Sequence, residues 1–291
     1  MKKIDRSSFG KKNFIDLISL KKIQDKHTKR SIQLWGNTLH NKNELRKKNY
    51  HIENVMKALN IKKLADIKNY LEIGCGEGSD LFFIKKKMKL KNIFCVDIGR
   101  NIESLSKIKF FKKINFIRCD CLDLPFKNNY FDFIYSYGVF HHTKNFTLAL
   151  INAKRVLNKG GALVFYNYKK QSNFIKRIGV YFESILLMLF LKFNIKTARL
   201  FCYLISPIIL IIFSYPSLIL KIFGSKKLYK KFPLWWGRSP NTIIGDLMDR
   251  LYAPVNIRFS KNEMVKILKT IKFNSIKVVE NNDGLFCIVK K

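Results

Sequence analysis

The feature that most constrains this 291-residue chain is a short run, Glu72-Ile73-Gly74-Cys75-Gly76-Glu77-Gly78, set between an apolar strand-like segment and a helical one. A strand that turns at once into a helix, while its backbone comes close to a ligand, needs glycine at the turn. The surrounding chain repeats that rhythm. Apolar runs at Tyr70–Gly74, Ile93–Asp97, Ile114–Cys119, Phe131–Tyr137 and Ala162–Tyr168 alternate with helical candidates at Ser79–Met88, Asn101–Phe110 and Phe146–Leu157. Continuous apolar strands separated by helices predict an α/β fold with a mostly parallel sheet covered on both faces. A Lys159-Gly160-Gly161 turn is expected to end the last of those helices as a glycine C-cap.

The spacing of the glycines narrows the ligand. A dinucleotide fingerprint starting at Gly74 would require glycine at position 79, which is Ser79. The E-x-G-x-G-x-G pattern instead resembles motif I of methyltransferases that use S-adenosylmethionine, a ligand without pyrophosphate. The next two strands end in acidic residues, Asp97 and Asp120. A carboxylate at the first position can accept both hydroxyls of a ribose, and one at the second can accept an exocyclic amine of adenine. Glu72 at the first strand end, with Asp97 and Asp120 at the next two, makes three acidic strand ends in succession around the glycine loop.

The stretch Tyr70–Tyr168 resembles class I methyltransferases that use S-adenosylmethionine (SAM), in particular the ubiquinone/menaquinone-biosynthesis-like, type 11 branch. The resemblance rests on Leu71 to Gly78, on Asp120-Cys121-Leu122-Asp123-Leu124-Pro125-Phe126, on Phe131 to Thr143 and on Arg155 to Gly161. Lys159 stands where the family usually has proline, and Lys272-Phe273 where it has Gly-Phe. The resemblance implies a Rossmann-like, seven-stranded sheet whose last strand is antiparallel. It further implies that Glu72, Gly74, Cys75, Gly76 and Gly78 line the methionine side of SAM. Asp97 with Ile98 would hold the ribose, Asp120 with Cys121 would flank the adenine, and Tyr137 would contact cofactor or acceptor.

Methyl transfer from a sulfonium is in-line, and positioning can supply much of the catalysis. A base is needed where the acceptor must lose a proton. His141 and His142, just after the fourth strand, are the candidates, with hydrogen bonding to the loop backbone as their plainer role. Tyr166 and Tyr168 are candidates to face the acceptor. No metal site is expected. The six cysteines lack ligand spacing and read as buried thiols.

Four segments are expected: a helical N-terminal extension (1–60), the SAM-binding core (61–170), an apolar helical insertion after the fifth strand (171–245), and the C-terminal part of the core (246–291). Trp35 and Asn43–Leu59 are the most structured-looking parts of the extension. Ser260 with Glu263 reads as a capping box, and Ser275–Glu280 with Gly284–Val289 as two final strands. Within the insertion, Leu200–Leu220 holds no charge. Pro207 and Pro216 are expected to disturb a continuous helix there, and Glu183 to weaken Ile178–Phe193 as a partner span. Two readings stand: a cap over the acceptor site, or a peripheral membrane contact through 178–222 flanked by Lys192, Lys196, Arg199, Lys221, Lys226 and Lys227, with Trp235 and Trp236 at the interface.

The net charge of +36 attracts anions of any kind, although A/T-rich codons alone favour lysine, asparagine, isoleucine and phenylalanine. The expected acceptor is a small or lipid-like molecule, and the expected location cytoplasmic, at the inner face of a membrane where contact exists. Nucleic acid is disfavoured, because Ser136-Tyr137-Gly138-Val139 replaces the Asn/Asp-Pro-Pro-aromatic signature of base-amino methylation. RNA methylation and a membrane-bound non-catalytic SAM-fold protein are the alternatives. Oligomeric state is not legible.

Overall fold

The computed structural model describes residues 3–18, 25–35, 51–58, 67–88, 90–171, 174–190, 192–223, 240–281 and 284–291. Asn43 to Tyr50, Lys226, Lys227, Trp235 and Trp236 lie outside the described residues. The chain divides into two compact units, Met1–Lys170 with Val255–Lys291, and Gln171–Pro254.

The first unit is built on eight strands: β1 (Phe14–Asp16), β2 (Asn69–Ile73), β3 (Asn92–Asp97), β4 (Ile114–Arg118), β5 (Phe131–Tyr137), β6 (Leu157–Tyr168), β7 (Ser275–Glu280) and β8 (Gly284–Lys290). Their order is β1-β4-β3-β2-β5-β6-β8-β7. Pairing is parallel from β1 to β6, and β8 runs antiparallel to both neighbours. The antiparallel last strand agrees with the family resemblance. The count of seven does not, because the N-terminal extension adds β1 beside β4 in the register Phe14↔Phe116 to Asp16↔Arg118. Three residues are too few to show a period of two. Arg118 and Asp16, 3.1 Å apart, fix this edge instead. Among its described residues the extension thus contributes a strand as well as α-helices at Lys26–Trp35 and His51–Ala58.

Alternation in the central strands sends successive side chains to opposite faces. Leu71, Ile73, Phe94 and Val96 enter one apolar layer. Tyr70, Ile93, Cys95 and Phe116 enter the other. All six cysteines are free and buried, as the thiol reading expects. The helix Phe146–Val156 ends without a glycine cap. Leu157 is already extended, and the two glycines lie inside β6, where the register against β5 shifts between Phe131 and Phe133. Gly160 donates to the Lys291 carbonyl there. The helix after β3 stops at Ser106, followed by a short 3-10 turn at Lys109–Phe111. The capping box forms as expected: Glu263 N donates to Ser260 Oγ at 3.2 Å, and Ser260 N to Glu263 Oε2 at 2.8 Å.

The parallel order reverses at β2, whose neighbours are β3 and β5. In an open α/β sheet, ligands bind in the crevice outside the strand ends at such a switch point. That crevice is where the glycine loop lies.

The second unit contains helices Phe174–Phe190 and Pro240–Tyr252 and a long helical stretch from Ile195 to Ile222. Contrary to expectation, the prolines do not break that stretch. Pro207 lies inside it, and a π-helical turn at Leu210–Ser214 leads into Tyr215–Ile222, with Pro216 in the first turn. Proline at 207 cannot donate to the Tyr203 carbonyl four residues back. The Ser206 hydroxyl does so instead, at 2.9 Å.

Candidate active site

Gly74 and Gly76 both take positive φ, 75° and 50°, which side chains on an L-residue rarely adopt. They differ in what surrounds them. A Cβ at Gly74 would stand 2.1 Å from Val139 Cγ2, whereas one at Gly76 meets nothing within 4 Å. Gly74 is therefore closed in by protein, and Gly76 faces open space. Gly74→Ala is expected to destabilise the fold by about 2–4 kcal/mol through overpacking and backbone strain, read as a lower thermal midpoint. An unchanged midpoint would contradict the packing.

Asp97 holds the loop in place. Its Oδ2 accepts the Gly76 N–H at 2.9 Å, and its Oδ1 accepts the Gly99 N–H at 2.7 Å. Asn101 Nδ2 donates to the Gly76 carbonyl at 2.5 Å. Burial raises the Asp97 carboxyl above the usual carboxylate value, and the backbone N–H groups oppose that rise. At the end of the next strand, Asp120 Oδ1 accepts the Leu122 N–H at 2.9 Å. Burial raises this carboxyl too, against the attraction of Lys144.

These elements bound a cavity of about 220 Å³. Of the residues expected at the cofactor, Gly74, Gly76, Asp97, Ile98, Asp120, Cys121 and Tyr137 line it; Glu72, Cys75 and Gly78 do not. Glu72 is buried behind the loop, with Tyr70 Oη donating to its Oε2 at 3.3 Å. Burial pushes the Glu72 carboxyl well above its ordinary value, with Asp80 adding repulsion. Between the unfolded and the raised folded value, the folded state keeps a proton that the unfolded state has released. Stability is therefore greatest below that window and falls as pH rises through it. Glu72→Gln is expected to flatten the decline of thermal midpoint as pH rises above the ordinary carboxylate range. Asp80, also raised by burial, keeps part of the slope. A slope identical to wild type would show that Glu72 does not hold the extra proton.

Sequence reasoning expects the N-terminal extension to pack over the sheet or cover the site, but apart from Trp35, singled out only as structured-looking, it identifies none of the residues of one cavity wall. His27, Thr28, Ser31 and Trp35 of helix Lys26–Trp35 line the cavity at helical spacing. Asp25 caps that helix, accepting the Thr28 N–H at 2.8 Å, and lies 3.6 Å from Lys144, another lining residue. The signal in the sequence was the placement of Trp35 on the same helical face as Thr28 and Ser31. Nothing local said which way that face points.

The two histidines separate. His141 is fully buried and outside the cavity lining; its Nδ1 lies 3.1 Å from Asn167 Oδ1. His142 lines the cavity, and its ring lies 5.0 Å from that of Trp35. His142 Nδ1 is 2.7 Å from the Val255 carbonyl oxygen. A carbonyl only accepts, so Nδ1 carries the hydrogen and, in the neutral ring, Nε2 carries the lone pair. Tyr166 and Tyr168 do not line the cavity. Tyr166 stacks on Tyr137 at 4.5 Å, and Tyr168 packs on His141 at 4.2 Å. The other face of Tyr137 is met by His51 at 4.0 Å. Among the described residues, no cluster of histidine, cysteine or carboxylate groups can hold a metal ion.

Comparison with known proteins matches residues 71–165 to the Methyltransferase domain family, Methyltransf_11. The chain is 32% identical over 115 residues to an uncharacterized protein of Methanocaldococcus jannaschii, covering 40% of this chain and 48% of that protein. It thus spans about half the length of that curated relative. Among solved structures, it is similar to a Methanococcus maripaludis protein provisionally described as an S-adenosyl-L-methionine-dependent methyltransferase (15% identity, 93% of this chain and 96% of that one, TM-score 0.46). It is also similar to PigF solved with S-adenosylhomocysteine (12% identity, 80% and 53%, TM-score 0.47). Residues 71–165 of this chain, which hold the glycine loop, both acidic strand ends and His142, thus match a methyltransferase domain.

Proposed function

We propose that the chain transfers the methyl group of SAM to a small-molecule or lipid-like acceptor. The observation that carries this reading is the cavity on which Gly76, Asp97 and Asp120 converge at consecutive strand ends. The residues fit the cofactor. Asp97 accepts the Gly76 and Gly99 N–H groups, with the Ile98 N–H also acting on it, and an ionised carboxylate has about four acceptor sites, which leaves capacity for the ribose. Asp120 Oδ2 can accept an adenine amine. Gly76 leaves the space that a side chain would fill.

When bound, SAM supplies an electrophilic methyl on a sulfonium. The chain's part is to hold donor and acceptor in line and, for a hydroxyl acceptor, to take its proton. His142 Nε2 would receive that proton, with the Val255 carbonyl fixing the ring's orientation. The direct test is calorimetric binding of S-adenosylhomocysteine, followed by incubation of methyl-labelled SAM with a lipid and metabolite extract of cells. One-to-one binding and label in an organic-extractable product are expected. Failure to bind S-adenosylhomocysteine sinks the reading. His142→Ala is expected to slow labelling by about 10²–10⁴-fold with S-adenosylhomocysteine affinity unchanged. Equal rates would leave positioning alone as the mechanism.

A further inference from the structure

We infer that residues 174–190 and 192–223 form a monotopic docking surface for an anionic lipid bilayer, lying along its interface. All but three of the exposed large hydrophobic residues among the described residues fall between Tyr181 and Phe223. The distribution around the helix is inverted relative to a water-soluble one. Small side chains, Ala198, Cys202, Ser206 and Ser217, are buried. The large ones face outward: Leu200, Leu204, Ile208, Ile211, Tyr215 and Ile222 are each 47–69% exposed. In water a helix turns its large apolar stripe inward. Small residues at the helix seam with large apolar residues outside is the arrangement that lipid favours. A contiguous apolar surface of this extent marks an interaction site.

Charge and topology select the occupant and its geometry. Lys192, Lys196 and Arg199 lie at or just before the start of the Ile195–Ile222 stretch and Lys221 at its end, with Arg177 in the first turn of Phe174–Phe190, placed to reach anionic headgroups. The 28-residue stretch Ile195–Ile222 is long enough to cross a membrane. A single crossing is nevertheless excluded by connectivity, because β6 before it and β8 after it pair in one sheet. The return span would have to be Phe174–Phe190, whose 17 residues reach only about 25 Å against a hydrocarbon core of about 30 Å. That helix also carries Glu183. The third helix, Pro240–Tyr252, packs on both others and carries Asp249 and the exposed Arg250, which suit it to the water side. The apolar faces therefore dip into one leaflet. This narrows the lipid-like acceptor proposed above, on which it rests in that respect only, to one that partitions into the same bilayer.

The test is sedimentation of the full chain with vesicles of phosphatidylcholine, alone and mixed three-to-one with phosphatidylglycerol. Binding to the mixed vesicles is expected, and it should persist at high salt, where attraction between exposed charges is screened. The combined variant Leu204→Gln, Ile208→Gln, Ile211→Gln, Ile212→Gln should partition at least about ten-fold less while binding S-adenosylhomocysteine as wild type does. A separate Leu204→Trp variant should gain emission that brominated lipid quenches. Wild-type protein left in the supernatant with both vesicles would overturn the inference. So would complete release by salt, unaltered partitioning of the combined variant, or a dimer that ignores vesicles and that the variant dissociates. Loss of S-adenosylhomocysteine binding in wild type would overturn the cofactor reading without touching the vesicle result.

Discussion

Gly76→Val is expected to abolish S-adenosylhomocysteine binding while leaving a cooperative fold. The effect should reach about a hundred-fold or more, equivalent to about 2.7 kcal/mol. Two terms act together. The side chain would project where no protein atom lies within 4 Å, into the space a ligand needs. A β-branched residue would also have to hold φ near 50°, at about 1–2 kcal/mol, or pull the loop away from Asp97. Gly76→Ala should lose less, because one methyl takes less of the hollow. Calorimetry and a thermal melt separate the contributions: lost binding with a sharp transition locates the effect in the cavity. Unchanged affinity would remove the glycine loop from the site and with it the cofactor assignment.

Asp97→Ala should damage both binding and stability. The carboxylate accepts two backbone N–H groups, from Gly76 and Gly99, at 2.9 and 2.7 Å. Removing it orphans both donors, at about 1–3 kcal/mol each if water cannot reach them. It also removes the acceptors for the ribose hydroxyls, so affinity for S-adenosylhomocysteine should fall on the order of ten-fold or more. Asp97→Asn is the informative companion. It keeps the volume but turns one oxygen into an N–H₂ that opposes a backbone N–H, so the loop should loosen while the cavity keeps its shape. If Asp97→Ala melted as wild type and bound as wild type, the carboxylate would be neither clamp nor ligand.

Glu72 shows how far a motif can be trusted. The resemblance places it on the methionine side, yet its carboxyl is buried behind the loop with Tyr70 and outside the cavity. Sequence order marked it as a strand-end acid, as it did Asp97 and Asp120, but residue order alone cannot say which carboxylates share one hollow. The histidine pair makes the same point. Adjacent in sequence, they occupy opposite situations, because Asn167 from β6 receives one and the Val255 carbonyl, more than a hundred residues away, receives the other.

What the sequence determined by itself was local and periodic. Apolar runs of strand length, the glycines between strand and helix, and the Ser260–Glu263 cap are set by side-chain sterics and hydrogen bonds within a few residues. They fixed the α/β class, the central strands and the position of the glycine loop. Tertiary structure decided the rest: β1 joining the sheet edge, helix Lys26–Trp35 walling the cavity, and the long helix of the second unit turning its small residues inward. Each depends on which faces meet across long stretches of chain. A three-residue strand or a helix with two apolar faces has no period that encodes its partner, so packing alone chooses it.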